Sequence, residues 1–191
     1  MNAPARDIRK GIAAADFRAA MRNLAGGVSV ITVGKGREIT GMTVTSVSSL
    51  SVDPPTLIVC VNRESSSWPL LNRYGVFGVN ILSAQQIEVA ERFSGKGGLK
   101  GPERFAGSQW IRRGSGVPLL VDSLASIDCE VEQIVERHSH GIVIGRVLGS
   151  ITSSNHGALG YWHGEYVAID HDDDALKLAD VSLPRRAAFS L

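Results

Sequence analysis

Cysteine is scarce in this chain: Cys60 and Cys129 are the two in 191 residues. Neither belongs to a C-x-x-C pair, which argues against a zinc or dithiol redox motif. A chain of this length has room for a core that needs no disulfide. An excess of charge of one sign is also lacking. Twenty Lys and Arg against 19 Asp and Glu leave a formal net charge of +1. No general attraction to nucleic acid or to an anionic membrane is expected from that balance. No apolar run approaches the roughly 20 residues that cross a bilayer. The N-terminal stretch MNAPARDIRKGIAAADF has basic residues but none of the apolar core of a secretory signal. The expectation is a cytoplasmic protein with neither a membrane nor a nucleic-acid partner.

Several catalytic landmarks are missing too. No G-x-S-x-G elbow is present. The glycine-rich residues 95–101 lack GK followed by Ser or Thr, and lack G-x-G-x-x-G after a strand. They read as a mobile lid or surface loop. Of the five histidines, His138 and His140 lie two apart, a spacing that puts both on one face of a strand. No third ligand accompanies them, so no metal site is expected.

What is present is an ordinary globular composition, 43% hydrophobic and 20% charged, with 21 glycines for turns and close approaches. The densest feature is GMTVTSVSSLSVDPPTLIVCVNRESSSW, residues 41–68. It places hydroxyl-rich segments on either side of a turn at Asp53-Pro54-Pro55 and an apolar strand, residues 56–61. That strand is apolar at consecutive positions and is expected to be covered on both faces. Upstream, Asp16 can cap a helix with Phe17, Ala20, Met21 and Leu24 on one face, ended by Gly26-Gly27. Residues 28–33 and 37–45 read as a hairpin around Gly34-Lys35-Gly36. Downstream, Ser67 as N-cap opens a helix that Gly75 closes. A strand at 76–81 follows. Ser83 with Gln86 three residues on forms a capping box, and Ile87, Ala90 and Phe93 supply that helix's buried face.

Residues 104–121 read as irregular, with Phe105, Trp110 and Ile111 available for packing. Residues 126–138 alternate, with Ile127, Cys129 and Val131 inward and Asp128, Glu130 and Glu132 toward solvent. Residues 140–151 and 159–169 read as the last two strands. Turns rather than long helices join most strands, which predicts a mainly β fold with short helices, an antiparallel barrel or sandwich. The domain organisation is a flexible arm at 1–15, one domain at 16–170 and a peripheral tail of mixed charge at 171–191.

Small hydroxyl residues with free main-chain N–H groups suit a phosphate and a flat polar heterocycle. A flavin asks for N–H donors along its pyrimidine edge and for hydroxyls and amides, ideally at a helix N-terminus, around its phosphate. Thr43, Val44, Thr45 and Ser46 can provide the first, and Ser65, Ser66 and Ser67 the second.

The ordered set Phe17-Arg18-x-Ala20-Met21, Gly27-Val28-x-Val30-Ile31-Thr32, Gly41-Met42-Thr43-Val44-Thr45-Ser46-Val47 and Ser51-x-Asp53-Pro54-Pro55-x-Leu57 resembles the short-chain flavin reductases. Those enzymes are the reductase partners of two-component flavin monooxygenases. The likeness continues through Asn80-Ile81-Leu82-Ser83, Phe93-Ser94-Gly95, His140-x-x-x-x-Gly145-x-Val147 and Tyr161-Trp162-x-Gly164-x-Tyr166. It implies an antiparallel split β-barrel that binds FMN or FAD and forms a homodimer. It implies hydride transfer from NADH or NADPH to the flavin, with reduced flavin passing to a partner oxygenase.

By the same resemblance Thr43, Val44, Thr45 and Ser46 line the isoalloxazine. Asn62, Ser65, Ser66 and Ser67 hold the ribityl chain and phosphate, Phe93 packs near the ring, and His140 and Tyr161 lie on the nicotinamide side. Trp162 closes the site or the dimer contact. No single catalytic residue is expected, because the reaction is one of positioning. The competing readings are a flavin-bound reductase of another acceptor, such as a corrinoid, iron or a quinone, and a flavin carrier or sensor without turnover.

Overall fold

The computed structural model describes residues 11–154 and 157–170. The expectations for residues 1–10, His156 and the tail at 171–191 lie outside the described residues. In chain order the elements are α1 (Ala14–Met21), β1 (Gly26–Gly27), β2 (Ser29–Lys35), β3 (Glu38–Val44), β4 (Ser48–Val52) and β5 (Pro55–Asn62). Then come α2 (Ser67–Tyr74), β6 (Val76–Ile81), a 3-10 turn (Ala84–Gln86) running into α3 (Ile87–Phe93), and a second 3-10 turn (Gly101–Phe105). The remaining strands are β7 (Trp110–Arg112), β8 (Pro118–Leu120), β9 (Ala125–Arg137), β10 (His140–Thr152), β11 (Ala158–Trp162) and β12 (Glu165–Ile169).

Seven strands form one antiparallel sheet in the order β3-β2-β6-β9-β10-β5-β4. Its two edge strands, β3 and β4, are consecutive in the chain and joined only by residues 45–47. Three residues span about 10 Å at most, so the sheet curls until its edges approach without pairing. The result is a split barrel. Ser46 laps the seam: its Oγ donates to the Cys60 carbonyl at 3.1 Å and accepts from the Cys60 N–H at 3.3 Å.

The side-chain period of two explains the core. Along β2, Ile31 and Val33 point into a cluster with Leu57, Val59, Val61, Phe77, Val79, Cys129 and Val143. Val30 on the same strand, with Val28 just before it, belongs to a second cluster with Ala90, Phe93, Phe105, Leu120 and Leu159. β5 behaves differently from its apolar reading: Leu57, Val59 and Val61 are buried, while Ile58 and Cys60 are half-buried. The second face of β5 is therefore only partly covered. Trp68 of α2 lies so close to β10 that a Cβ at Gly141 would stand 2.4 Å from its ring.

Several sequence readings change. The long strand expected at 159–169 is a hairpin, β11–β12, turned by His163 (φ 52°) and Gly164 (φ 94°), the paired positive φ of a tight hairpin. His138 sits in the β9–β10 turn at φ 50°, so it shares no strand face with His140. Asp128 is buried, not solvated. The β7–β8 pair lies over residues once read as irregular, and Ser115 donates to Asp128 through both its N–H, at 3.0 Å, and its hydroxyl. Asp16 stands in the first turn of α1, not at its cap, and Gly26-Gly27 forms β1 against β11. Finally, no residue of α1 is buried: Phe17 and Met21 are 56% and 45% exposed, and Leu24 just beyond is 66% exposed.

Candidate functional site

A cavity of about 1040 Å³ opens along the seam beside β3. As an edge strand, β3 has one side of its main chain unpaired, a ready source of N–H and C=O groups. Three strand ends converge here. The register sets His140 of β10 opposite Asn62 of β5, and the C-terminal end of β3 completes the wall. Eleven of the residues singled out from the sequence line this one cavity: Thr43, Val44, Thr45, Ser46, Asn62, Ser65, Ser66, Ser67, Phe93, His140 and Tyr161. Trp162 does not. Its indole N–H donates to the Asn23 carbonyl at 3.2 Å, away from the cavity.

The hydroxyls divide into two kinds. Those of Thr43 and Ser46 are committed to main-chain carbonyls, Ala90 at 2.6 Å and Cys60 at 3.1 Å. What the β3 end offers a ligand is therefore mainly its backbone. At the other end, Asn62 organises the approach to α2: its Oδ1 accepts from the Glu64 N–H at 2.9 Å and its carbonyl from the Ser65 N–H at 3.1 Å. Ser67 is the first residue of α2, not its cap. Ser66 is the N-cap residue, but its backbone is already helical (φ −62°, ψ −15°) and no side chain caps the helix. The Oγ atoms of Ser65 and Ser67 are buried and have no hydrogen-bond partner among the described residues. Buried polar atoms are otherwise paired almost without exception, so this pair beside the start of α2 stands out among the described residues.

Sequence reasoning missed two cations in the wall, Arg104 and Lys96. Lys96 comes from the glycine-rich residues 95–101 and Arg104 from the short 3-10 turn that follows, neither with a periodicity to read. Lys96 Nζ bonds Glu91 at 2.6 Å, and that hydrogen bond, with the carboxylate's charge, holds the ammonium above its ordinary range. Across the mouth, burial followed by the charge of Glu91 pushes the Tyr166 phenol up, so it stays neutral. His140 is exposed at the rim and shares a 2.9 Å hydrogen bond with the Ser139 hydroxyl.

The two thiols give a check on the cavity. Cys129 is fully buried, and burial, then the neighbouring Asp128 charge, pushes its thiol up to about 12. Thiolate is the reactive form, so an alkylating reagent near pH 8 is expected to leave Cys129 intact in the folded protein. Cys60 is half-buried and lines the cavity. It is expected to react, and a ligand filling the cavity should slow that reaction at least severalfold. Peptide mapping by mass spectrometry reads both outcomes.

Fold and cavity together define the class: an antiparallel split β-barrel with one deep, hydroxyl-lined site along its open seam. The chain belongs to the family described as flavin reductase like domain, whose model matches residues 21–170. It is 32% identical over 156 residues, 82% of this chain and 78% of the relative, to the reductase subunit HsaB of a flavin-dependent monooxygenase from Rhodococcus jostii. It is 38% identical over 132 residues, 69% of this chain and 78% of the relative, to the FMN reductase (NADH) RutF of Cronobacter sakazakii. Among solved structures it resembles BorF, the flavin reductase component of a bacterial two-component tryptophan halogenase. The TM-score is 0.77 and the identity 31%, covering 83% of this chain and 99% of that one.

Proposed function

We propose that the protein is an NAD(P)H:flavin oxidoreductase that passes hydride from NADH to FMN and supplies the reduced flavin to a partner oxygenase. The observation that carries this reading is the pair of buried, unpartnered hydroxyls of Ser65 and Ser67, two residues beside the start of α2 that line the cavity of a flavin reductase-like fold. Relatives named FMN reductase (NADH) support that choice of donor and acceptor.

Bound flavin supplies a two-electron acceptor at its N5. The chain's task is to hold that ring and present the nicotinamide to it. Thr43, Val44, Thr45 and Ser46 offer main-chain groups of the open β3 end to the ring edge. Asn62, Ser65, Ser66 and Ser67 take the ribityl hydroxyls and the phosphate, which the positive end of α2 favours. His140 and Tyr161, at the mouth, orient the nicotinamide. Hydride transfer needs the two rings at roughly 3–3.5 Å. No side chain has to gain or lose a proton for that, so binding and alignment are the whole of the catalysis.

The functional domain spans 16–170, and the protein is cytoplasmic; no helix among the described residues is long and apolar enough to cross a membrane. The working unit is a homodimer. The sheet edge β4 exposes Leu50 (53%) and Val52 (89%), β10 exposes Leu148, and α1 leaves its apolar stripe uncovered. Such surfaces mark a partner face, and a second copy covers them by symmetry. Light scattering should give twice the monomer mass, and Leu50→Asp with Val52→Asp should return the monomer.

The deciding experiment mixes the protein anaerobically with NADH or NADPH and excess FMN or FAD, following loss of oxidised-flavin absorbance. Bleaching over many turnovers is the expected result. A single bleaching event limited to bound flavin replaces this reading with a reductase of another acceptor. Flavin binding without bleaching replaces it with a carrier or sensor.

A further inference from the structure

Arg104 sits in the 3-10 turn Gly101–Phe105, and its guanidinium reaches three separate segments around the cavity. Nε donates to the Leu99 carbonyl at 2.9 Å, and Nη1 donates to the carbonyls of Gly41 at 2.7 Å and Phe93 at 3.3 Å. Every acceptor is main chain. Among the described residues no carboxylate stands within ion-pair distance of it. The charge is therefore hydrogen-bonded but not neutralised. Phe93 ends α3, and a helix C-terminus favours a cation at its carbonyls.

Among the described residues the other ties of this segment are short-range, the Lys96–Glu91 ion pair at 2.6 Å included. Gly95, Gly97 and Gly98 take positive φ values of 90°, 82° and 76°, and they are exposed. Their neighbours' bonds are short-range: Lys96 N–H to Ser94 Oγ at 3.4 Å, Gly98 N–H to the Gly95 carbonyl at 3.3 Å, and Lys100 N–H to Glu103 at 3.1 Å. Arg104 is the link from the far end of this rim, at Leu99, to the wall strand β3. It meets β3 at Gly41, next to Thr40, whose hydroxyl lies 3.5 Å from that of Ser66. Arg104 lines the same cavity as Ser65 and Ser67, whose hydroxyls are buried without partners among the described residues.

We propose that Arg104 is a positioning and specificity residue that clamps the rim, residues 94–100, against the cavity and makes the site select a phosphorylated flavin over riboflavin. This rests on the flavin reading of the cavity. A guanidinium suits the role because its planar fork serves several acceptors at fixed angles, which a lysine ammonium does not.

The test compares wild type, Arg104→Gln and Arg104→Lys by their dissociation constants for FMN and for riboflavin. It adds the rate at which a lysine-specific protease cuts the ligand-free wild type and Arg104→Gln after Lys96 and Lys100. Loss of the charge is expected to weaken FMN by about tenfold or more and riboflavin by less than about threefold. Arg104→Lys should keep most of the FMN preference, and cleavage of Arg104→Gln should be several times faster. Equal weakening of both flavins, or none, overturns the selection, and unchanged cleavage overturns the clamp. If wild type bound neither flavin, the proposed function itself would fall, while the cleavage rates would still judge the clamp.

Discussion

Phe93→Ala is expected to destabilise the protein by about 3–5 kcal/mol, the range for emptying a buried aromatic site. Phe93 is 1% exposed and is the centre of an aromatic cluster. Its ring centroid lies 5.0 Å from Phe105, edge to face, and 5.5 Å from Trp110, and those two rings are 4.9 Å apart. Arranged pairs of this kind add to the area term. For a chain of this size such a loss lowers the melting temperature by about 6–20 °C. The measurement is thermal unfolding of ligand-free protein, with Phe93→Leu as the partner variant that restores most of the volume. A large drop for alanine and a small one for leucine makes Phe93 first a core residue and second a cavity wall. Reduced flavin affinity with unchanged unfolding would reverse that order. The glycine opposite belongs to the same packing: a Cβ at Gly41 would stand 2.8 Å from the Phe93 ring and 2.5 Å from the Ile31 carbonyl. The strand that walls the cavity approaches the aromatic cluster too closely for any side chain there.

The contrast between Phe93 and Arg104 shows what the sequence could carry. Features encoded by neighbours along the chain were legible. Ser83 and Gln86 form their capping box, Gly75 ends α2 at φ 62°, and Gly36 turns the β2–β3 hairpin at φ 60°. The lining of the cavity was legible as a set because its members sit in segments of the ordered motif set, several of them at strand ends. Asn62 and His140 meet because β5 and β10 pair in that register. What could not be read depends on contacts between distant segments. Asp128 alternates as a solvent-facing residue would, and only the covering β7–β8 pair buries it. The exposed stripe of α1 has the periodicity of a buried face, because periodicity alone does not report whether anything packs on that face. Arg104 carries no local signal at all: its acceptors are carbonyls at positions 41, 93 and 99, and a carbonyl is the same for every residue.

Replacing Ser65 and Ser67 together by alanine is expected to separate affinity from stability. In the ligand-free protein both hydroxyls are buried without partners among the described residues. An unsatisfied buried polar group costs about 1–3 kcal/mol, so the double variant should unfold at the same temperature as wild type or higher. Under the function proposed above, the same change removes two donors to the charged phosphate of FMN. At about 1.5–3 kcal/mol each, affinity should fall by about 10²- to 10⁴-fold. Riboflavin, which has no phosphate, should change by less than about threefold, the scale of incidental packing effects. Calorimetric titration of both flavins and a melting curve decide it. A lower melting temperature with equal losses for both ligands would make the serines structural and move the phosphate elsewhere. The opposite signs are the informative part. The start of α2 has no side-chain cap although three serines stand there; its Trp68 N–H donates to the Ser65 carbonyl at 3.1 Å and Pro69 has no N–H, so the hydroxyls are the donors it holds in reserve. Local stability given up at one point, beside hydroxyls held in place by the fold, is what a site prepared for an anion requires.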